Sequence, residues 1–207
     1  RHRHLLRHRP LRRRRRRRLR PAGFVGSTGR SHTVMLHTLP DFTPPYADLV
    51  KLASTQFLPA DFRRQCETFA RYSESNSFED LWYFKLNVPR PTLMVSVEVD
   101  YTKERGTRRQ KRVRFAVLPF VGWEDFRSDD KTGVRQQFDD AFKSAIESAS
   151  SQIGPPDDTT TYSSDNFHRA VWNGSTGVML VQQSNYDPQF GAEIHCWMQS
   201  HGEQMPD

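Results

Sequence analysis

Cysteine is almost missing: the 207 residues contain two, Cys66 and Cys196, far apart and outside any C-x-x-C pair. Such spacing gives neither a disulfide framework nor a zinc knuckle, and leaves two buried reduced thiols, or a single bridge if the protein is exported. Long apolar runs are missing too. No stretch approaches the ~18 residues a membrane helix needs, and the Arg-rich start is not followed by the apolar segment of a signal peptide. No membrane partner is therefore expected, and a soluble, cytoplasmic setting is favoured over export.

Motifs with specific mechanics are also lacking. There is no Gly-rich phosphate loop, no H-E-x-x-H, no G-x-S-x-G and no EF-hand pattern, so no cofactor and no metal are expected. His195, Cys196 and His201 have zinc-ligand chemistry, but neighbours on a strand point to opposite faces. Cys66 paired with His168 or His195 would make a nucleophile and base, yet its place on an apolar helical stripe raises the thiol pKa and makes it inert. The carboxylate pairs Asp129 with Asp130, Asp139 with Asp140 and Asp157 with Asp158 sit at helix starts, helix faces or loops, where capping and solubility account for them.

Residues 1–30 lack Lys, Asp and Glu altogether while holding 13 Arg, a segment charge of +13. The other 177 residues carry 18 basic against 24 acidic side chains, so the overall +7 conceals an acidic domain of −6. The block Arg12, Arg13, Arg14, Arg15, Arg16, Arg17 and Arg18 is a candidate for nonspecific contact with a phosphate backbone, with no aromatic residue before Phe24 to stack on bases. A competing reading starts from its vocabulary: residues 1–21 use only Arg, His, Leu and Pro. All four have codons beginning with cytosine, and the first Met is Met35, so residues 1–34 would then lie upstream of the natural start. Either way the segment is expected to be disordered, because like charges repel and it has nothing to pack.

What is present is a foldable domain. Fourteen Phe, six Tyr and four Trp supply a core despite a hydrophobic fraction of 35%. We expect a basic tail and linker over 1–42, one α+β domain over 43–200 and a flexible C-terminus over 201–207. After Thr43-Pro44-Pro45 a short helix follows Tyr46, Leu49, Val50, Ala53 and Phe57, and a second from Pro59 carries Phe62, Cys66, Phe69 and Ala70 on one stripe. The longest helix runs from about Lys131 to Ile153, stopped by Gly154 and Pro155.

Strands are expected at 81–88, 93–102, 112–117, 168–173, 178–183 and 192–199. Pairing the second with the third sets Asp100 opposite Arg112, Glu98 opposite Arg114, Val99 opposite Val113 and Val97 opposite Phe115. The segment before His168 reads as a polar loop of Asp, Thr and Ser. The fold class is thus α+β: an antiparallel sheet of about six strands, covered by a long helix and one or two shorter ones. The order is helix then three strands, twice over, after an introductory helix.

Function is less legible. Aromatics in the turn Tyr186-Asp187-Pro188-Gln189-Phe190 suggest a partner-binding loop at Tyr186, Asp187 and Phe190, or a lid that folds back on the sheet edge. Trp82, Trp172 and Trp197 are expected in the core. The leading expectation is a nonenzymatic protein-binding or assembly domain with an unknown protein partner. The alternatives are a nucleic-acid-associated protein acting only through the tail, and an enzyme with a dispersed site.

Overall fold

The computed structural model describes residues 36–38, 42–76, 81–88, 93–104, 107–123, 132–162, 166–184 and 191–204. Of the expected tail and linker over 1–42, residues 1–35 and 39–41 lie outside the described residues, as do the turn at Tyr186, Asp187 and Phe190 and the pair Asp129 with Asp130, while 36–38 form a strand where a linker was expected.

Pro44 and Pro45 lead into α1 (Tyr46–Ala53), with Asp48 in the first turn against the positive end of the helix dipole. Tyr46, Leu49, Leu52 and Ala53 are fully buried. Phe57 lies past the helix, in the link to α2 (Pro59–Cys66), where its ring packs on Phe62 with centroids 5.2 Å apart. The apolar stripe expected to run on to Phe69 and Ala70 is interrupted: α2 stops at Cys66, and Ala70 begins β2 (Ala70–Asn76). The long helix is α3 (Thr132–Ile153), which buries Phe138, Phe142, Ala145 and Ala149. Gly154 ends it at φ +88°, a left-handed conformation that suits glycine.

The sheet has more strands than the apolar pattern announces. To β3 (Leu81–Leu86), β4 (Met94–Glu104), β5 (Thr107–Trp123), β7 (Phe167–Asn173), β8 (Gly177–Ser184) and β9 (Ala192–Ser200) it adds β2 and β6 (Asp158–Tyr162). All pairings are antiparallel, in the order β2-β3-β4-β5-β9-β8-β7-β6. A short β1 (Leu36–Thr38) pairs with β5 at Val121–Trp123, beyond the end of β4. Eight strands on the main path replace the expected six. The repeat is helix then four strands, and the two four-strand meanders meet through their last strands, β5 and β9.

Register was half legible. Asp100 faces Arg112 and Val99 faces Val113 as expected, but the pairing slips between Glu98 and Val99, so Glu98 faces Phe115 and Val97 faces Ala116. One extra residue on β5 reverses the facing of everything after it. Val113 thus points to the helices, while Phe115 and Val117 join Val171, Val178, Leu180 and Trp197 on the opposite face. Glu98 still reaches Arg114 as an ion pair. The pairing with β4 slips again between Asp100 and Tyr101, and Pro119 sits in β5 beside a slip in its pairing with β9, between Pro119 and Val121, where its missing N–H is tolerated.

Helices α1, α2 and α3 cover one face of the sheet, where Phe84, Val95, Val97, Leu118, Met179 and Cys196 form the main core. The β7–β8 turn is pinned to the end of α1: Thr176 Oγ1 donates to the carbonyls of Ala53 and Thr55 at 3.0 and 2.7 Å. A Cβ at Gly174 would come within 2.7 Å of the Ala53 backbone, so glycine is what permits this approach. Among the described residues, no helix is long and apolar enough to cross a membrane.

Candidate functional site

The reactive residue types are placed apart. Cys66 and Cys196 are free, fully buried thiols, and burial pushes both pKa values up. His195 and Cys196 fall on opposite faces of β9, with Cys196 in the main core and His195 beside Trp197. His201 lies beyond the strand and bonds the Gly174 carbonyl through Nε2 at 3.0 Å. No group of three potential metal ligands occurs among the described residues. Trp82 and Trp172 are in the main core, whereas Trp197 lies on the far face, stacked on Phe115 at 4.1 Å.

Three of the paired carboxylates, Asp139, Asp140 and Asp157, have structural partners. Asp139 accepts from Arg135 Nε and from Gln183 Nε2, both at 2.9 Å. Asp140 accepts from Gln136, and Asp157 caps the backbone N–H of Asn173 at 2.6 Å.

A buried polar cluster lies on the far face. Ser184, His195 and Gln182 lie together on β8 and β9, with Glu193 directly across from Ser184. These types could make a nucleophile and its base, but Ser184 Oγ is 3.5 Å from His195 Nδ1, at the limit of a hydrogen bond. Nε2 of the ring is engaged by Gln182 at 3.0 Å, and His195 is 2% exposed. Burial lowers the His195 pKa to about 4 and raises that of Glu193 to about 7. A base that weak, closed off from substrate, does not activate a hydroxyl. The cluster is a buried polar network, with Gln182 Oε1 left without a partner.

Two cavities among the described residues hold about 120 and 220 Å³, below the range of roughly 300–1,000 Å³ usual for small-molecule sites. Neither is lined by Cys66, Cys196, His195, Glu193 or Tyr46; the smaller is lined by Arg114, whose desolvation by burial is outweighed by Glu98 and Asp100, so that its pKa is raised. The larger cavity is a groove between α3 and the edge of the sheet, lined by Asp139, Phe142, Lys143, Thr159, Thr161 and His168 among others.

That edge is β6. Among the described residues its only sheet partner is β7, in a regular register from Asp158 opposite Val171 to Tyr162 opposite Phe167. Asp158, Thr159, Thr160 and Thr161 are exposed. The strand contains no Pro, Lys or bulge, the usual protections of an open edge. The opposite edge, β2, is bent by a register slip between Tyr72 and Glu74. Thr159 and Thr161 pair with Ala170 and His168 and so face the helix side, where the His168 ring stacks on Phe142 at 5.8 Å and its Nδ1 meets Thr161 Oγ1 at 3.0 Å. Thr160 faces the other way with Arg169, whose guanidinium lies 4.4 Å from the centre of the ring of Tyr162, a half-buried residue at the strand end that also packs against the main core.

No protein-family model matches the chain, and neither does any curated protein or solved structure. The edge therefore stands on its own geometry. Its polarity makes it read as a loop in the sequence, although the run Thr159-Thr160-Thr161-Tyr162 is rich in the β-branched and aromatic residues that favour strands.

Proposed function

We propose that this is a nonenzymatic binding or assembly domain that takes up an extended polypeptide strand along the open edge of β6, with α3 as the adjoining wall. One observation carries this reading: β6 is exposed, regular and, among the described residues, paired on one side only. An edge strand presents alternate N–H and C=O groups outward, and an added strand satisfies them with main-chain hydrogen bonds. Side chains of the incoming strand alternate between the two faces, so every second one would enter the groove above Phe142 and His168.

The test is selection of peptides from a display library of unstructured decapeptides on the full chain, followed by the variants Thr159→Pro and Thr160→Pro. Backbone N–H groups alternate in direction, so one of the two prolines removes an outward donor and leaves the bond to β7 intact. That variant should keep the wild-type thermal midpoint and lose the selected peptides. Peptides that bind both variants as well as wild type would refute strand addition at β6.

The tail supports a second, independent reading, since residues 1–30 carry all the excess positive charge. Contacts from Arg12 to Arg18 with a nucleic-acid backbone would give affinity that falls steeply with salt, whatever the base sequence. Deleting residues 1–30 should abolish it, and salt-insensitive binding would sink the idea.

A further inference from the structure

We infer that the strand received by β6 is β6 of a second copy of this chain, paired antiparallel about Thr160. The inference rests on the strand-addition reading above and adds the identity of the partner. It begins from two charges on one face of the edge. Asp158 and Thr160 share a face with Arg169, which leans away from Asp158 over Tyr162 and donates to Thr160 Oγ1 at 3.4 Å. Neither Asp158 nor Arg169 has an ion-pair partner among the described residues. The edge is thus negative at its first residue and positive at its last.

An antiparallel copy reverses that polarity. With Thr160 opposite itself, Asp158 falls opposite the Tyr162 of the second copy, beside the guanidinium that lies over that ring. The same contact recurs at the other end, because a two-fold interface is self-complementary. Thr159 meets Thr161 on the helix side, a favourable cross-strand pair. A parallel copy would place like charges together, so the charge pattern selects the antiparallel one. Five paired residues make a small contact, and interfaces below about 1,200 Å² belong to transient complexes. The dimer should accordingly be weak and concentration-dependent.

The experiment is sedimentation velocity on the nuclease-treated full chain from about 5 to 500 μM, a span suited to a small transient interface, with amide exchange followed over residues 158–162. A reversible dimer is expected, with exchange of those amides slowing as concentration rises. Asp158→Arg and Arg169→Asp should each weaken it about tenfold by setting like charges together at both ends, and the double variant should regain most of the loss. A monomer throughout the range overturns the inference. If that monomer still binds selected peptides in a manner sensitive to the β6 prolines, strand addition survives without self-pairing; if it binds none, both fall. A dimer that leaves amides 158–162 unprotected, or a charge swap without rescue, also overturns it.

Discussion

Replacing Glu193 with Gln should make the protein acid-sensitive, although the substitution removes a carboxylate. Two neighbours on the far face of β9 have pKa values that burial moves in opposite directions. His195, fully buried, titrates at about 4 when folded and near its ordinary 6.5 when unfolded. The unfolded chain takes up its proton first as pH falls, so the stability due to His195 is complete above 6.5 and is lost on the way down to 4. Glu193 titrates at about 7 when folded against an ordinary 4.5. Its contribution is complete below 4.5 and is lost as pH rises to 7. Between pH 4.5 and 6.5 the two slopes oppose each other and nearly cancel. Each alone is worth about 3 kcal/mol across that window, at roughly 1.4 kcal/mol per decade. Urea unfolding of wild type, Glu193→Gln and His195→Gln at pH 4.5, 5.5, 6.5 and 7.5 separates them, since carboxylates common to all three contribute alike. Relative to wild type, Glu193→Gln should lose about 3 kcal/mol on acidification to 4.5, and His195→Gln should gain a similar amount. Parallel profiles for the three proteins, or a His195 ring that titrates near 6.5 by NMR, would refute the argument.

Other outcomes follow from the packing. A Cβ at Gly177 would overlap the Gln199 carbonyl and come within 2.8 Å of the Phe57 ring, so Gly177→Ala should cost about 1–3 kcal/mol by denaturant unfolding. Phe138 is fully buried against Phe167, and Phe138→Ala should cost about 3–5 kcal/mol, read in the same assay. Trp172 donates through Nε1 to the Gly154 carbonyl at 2.9 Å, the residue that ends α3. Trp172→Phe should therefore cost about 1 kcal/mol or somewhat more, with the loss of fluorescence change on unfolding as a check that the ring is buried.

The elements legible in the sequence are those that bury a periodic face. Helix α3 repeats apolar residues from Val134 to Ile153 at helical spacing, and β4 alternates strictly from Leu93 to Tyr101, so both emerged with nearly correct ends. Edges are silent by the same logic. β6 is exposed along most of its length, and hydrophobic pattern says nothing of a strand that buries little. β-Branching was the signal available at Thr159, Thr160 and Thr161, and its polarity concealed it. The bulge at Glu98 was hidden for another reason: Val113, Phe115 and Val117 look like one alternating face, and only the pairing partner reveals that Val113 and Phe115 belong to different sides. As for the candidate site, that β6 is an edge at all depends on which strands become neighbours, and this is a property of topology rather than of the five residues themselves.

The meeting of the two meanders at β5 and β9 has a consequence for how the chain comes off the ribosome. β5 is finished at residue 123, but its neighbour begins at residue 192. At about 5–20 residues per second, the completed first half waits on the order of 4–14 s with its longest strand unpaired along one side. The strand that closes this gap is the last in chain order among the described strands. A chain cut short before Ala192 would leave β5 and β8 each lacking a partner, and would turn a sheet with one open edge strand into two halves with sticky inner margins. The final nine-residue strand is thus the keystone of biogenesis, and nascent chains stalled ahead of it are the forms that should most need a chaperone.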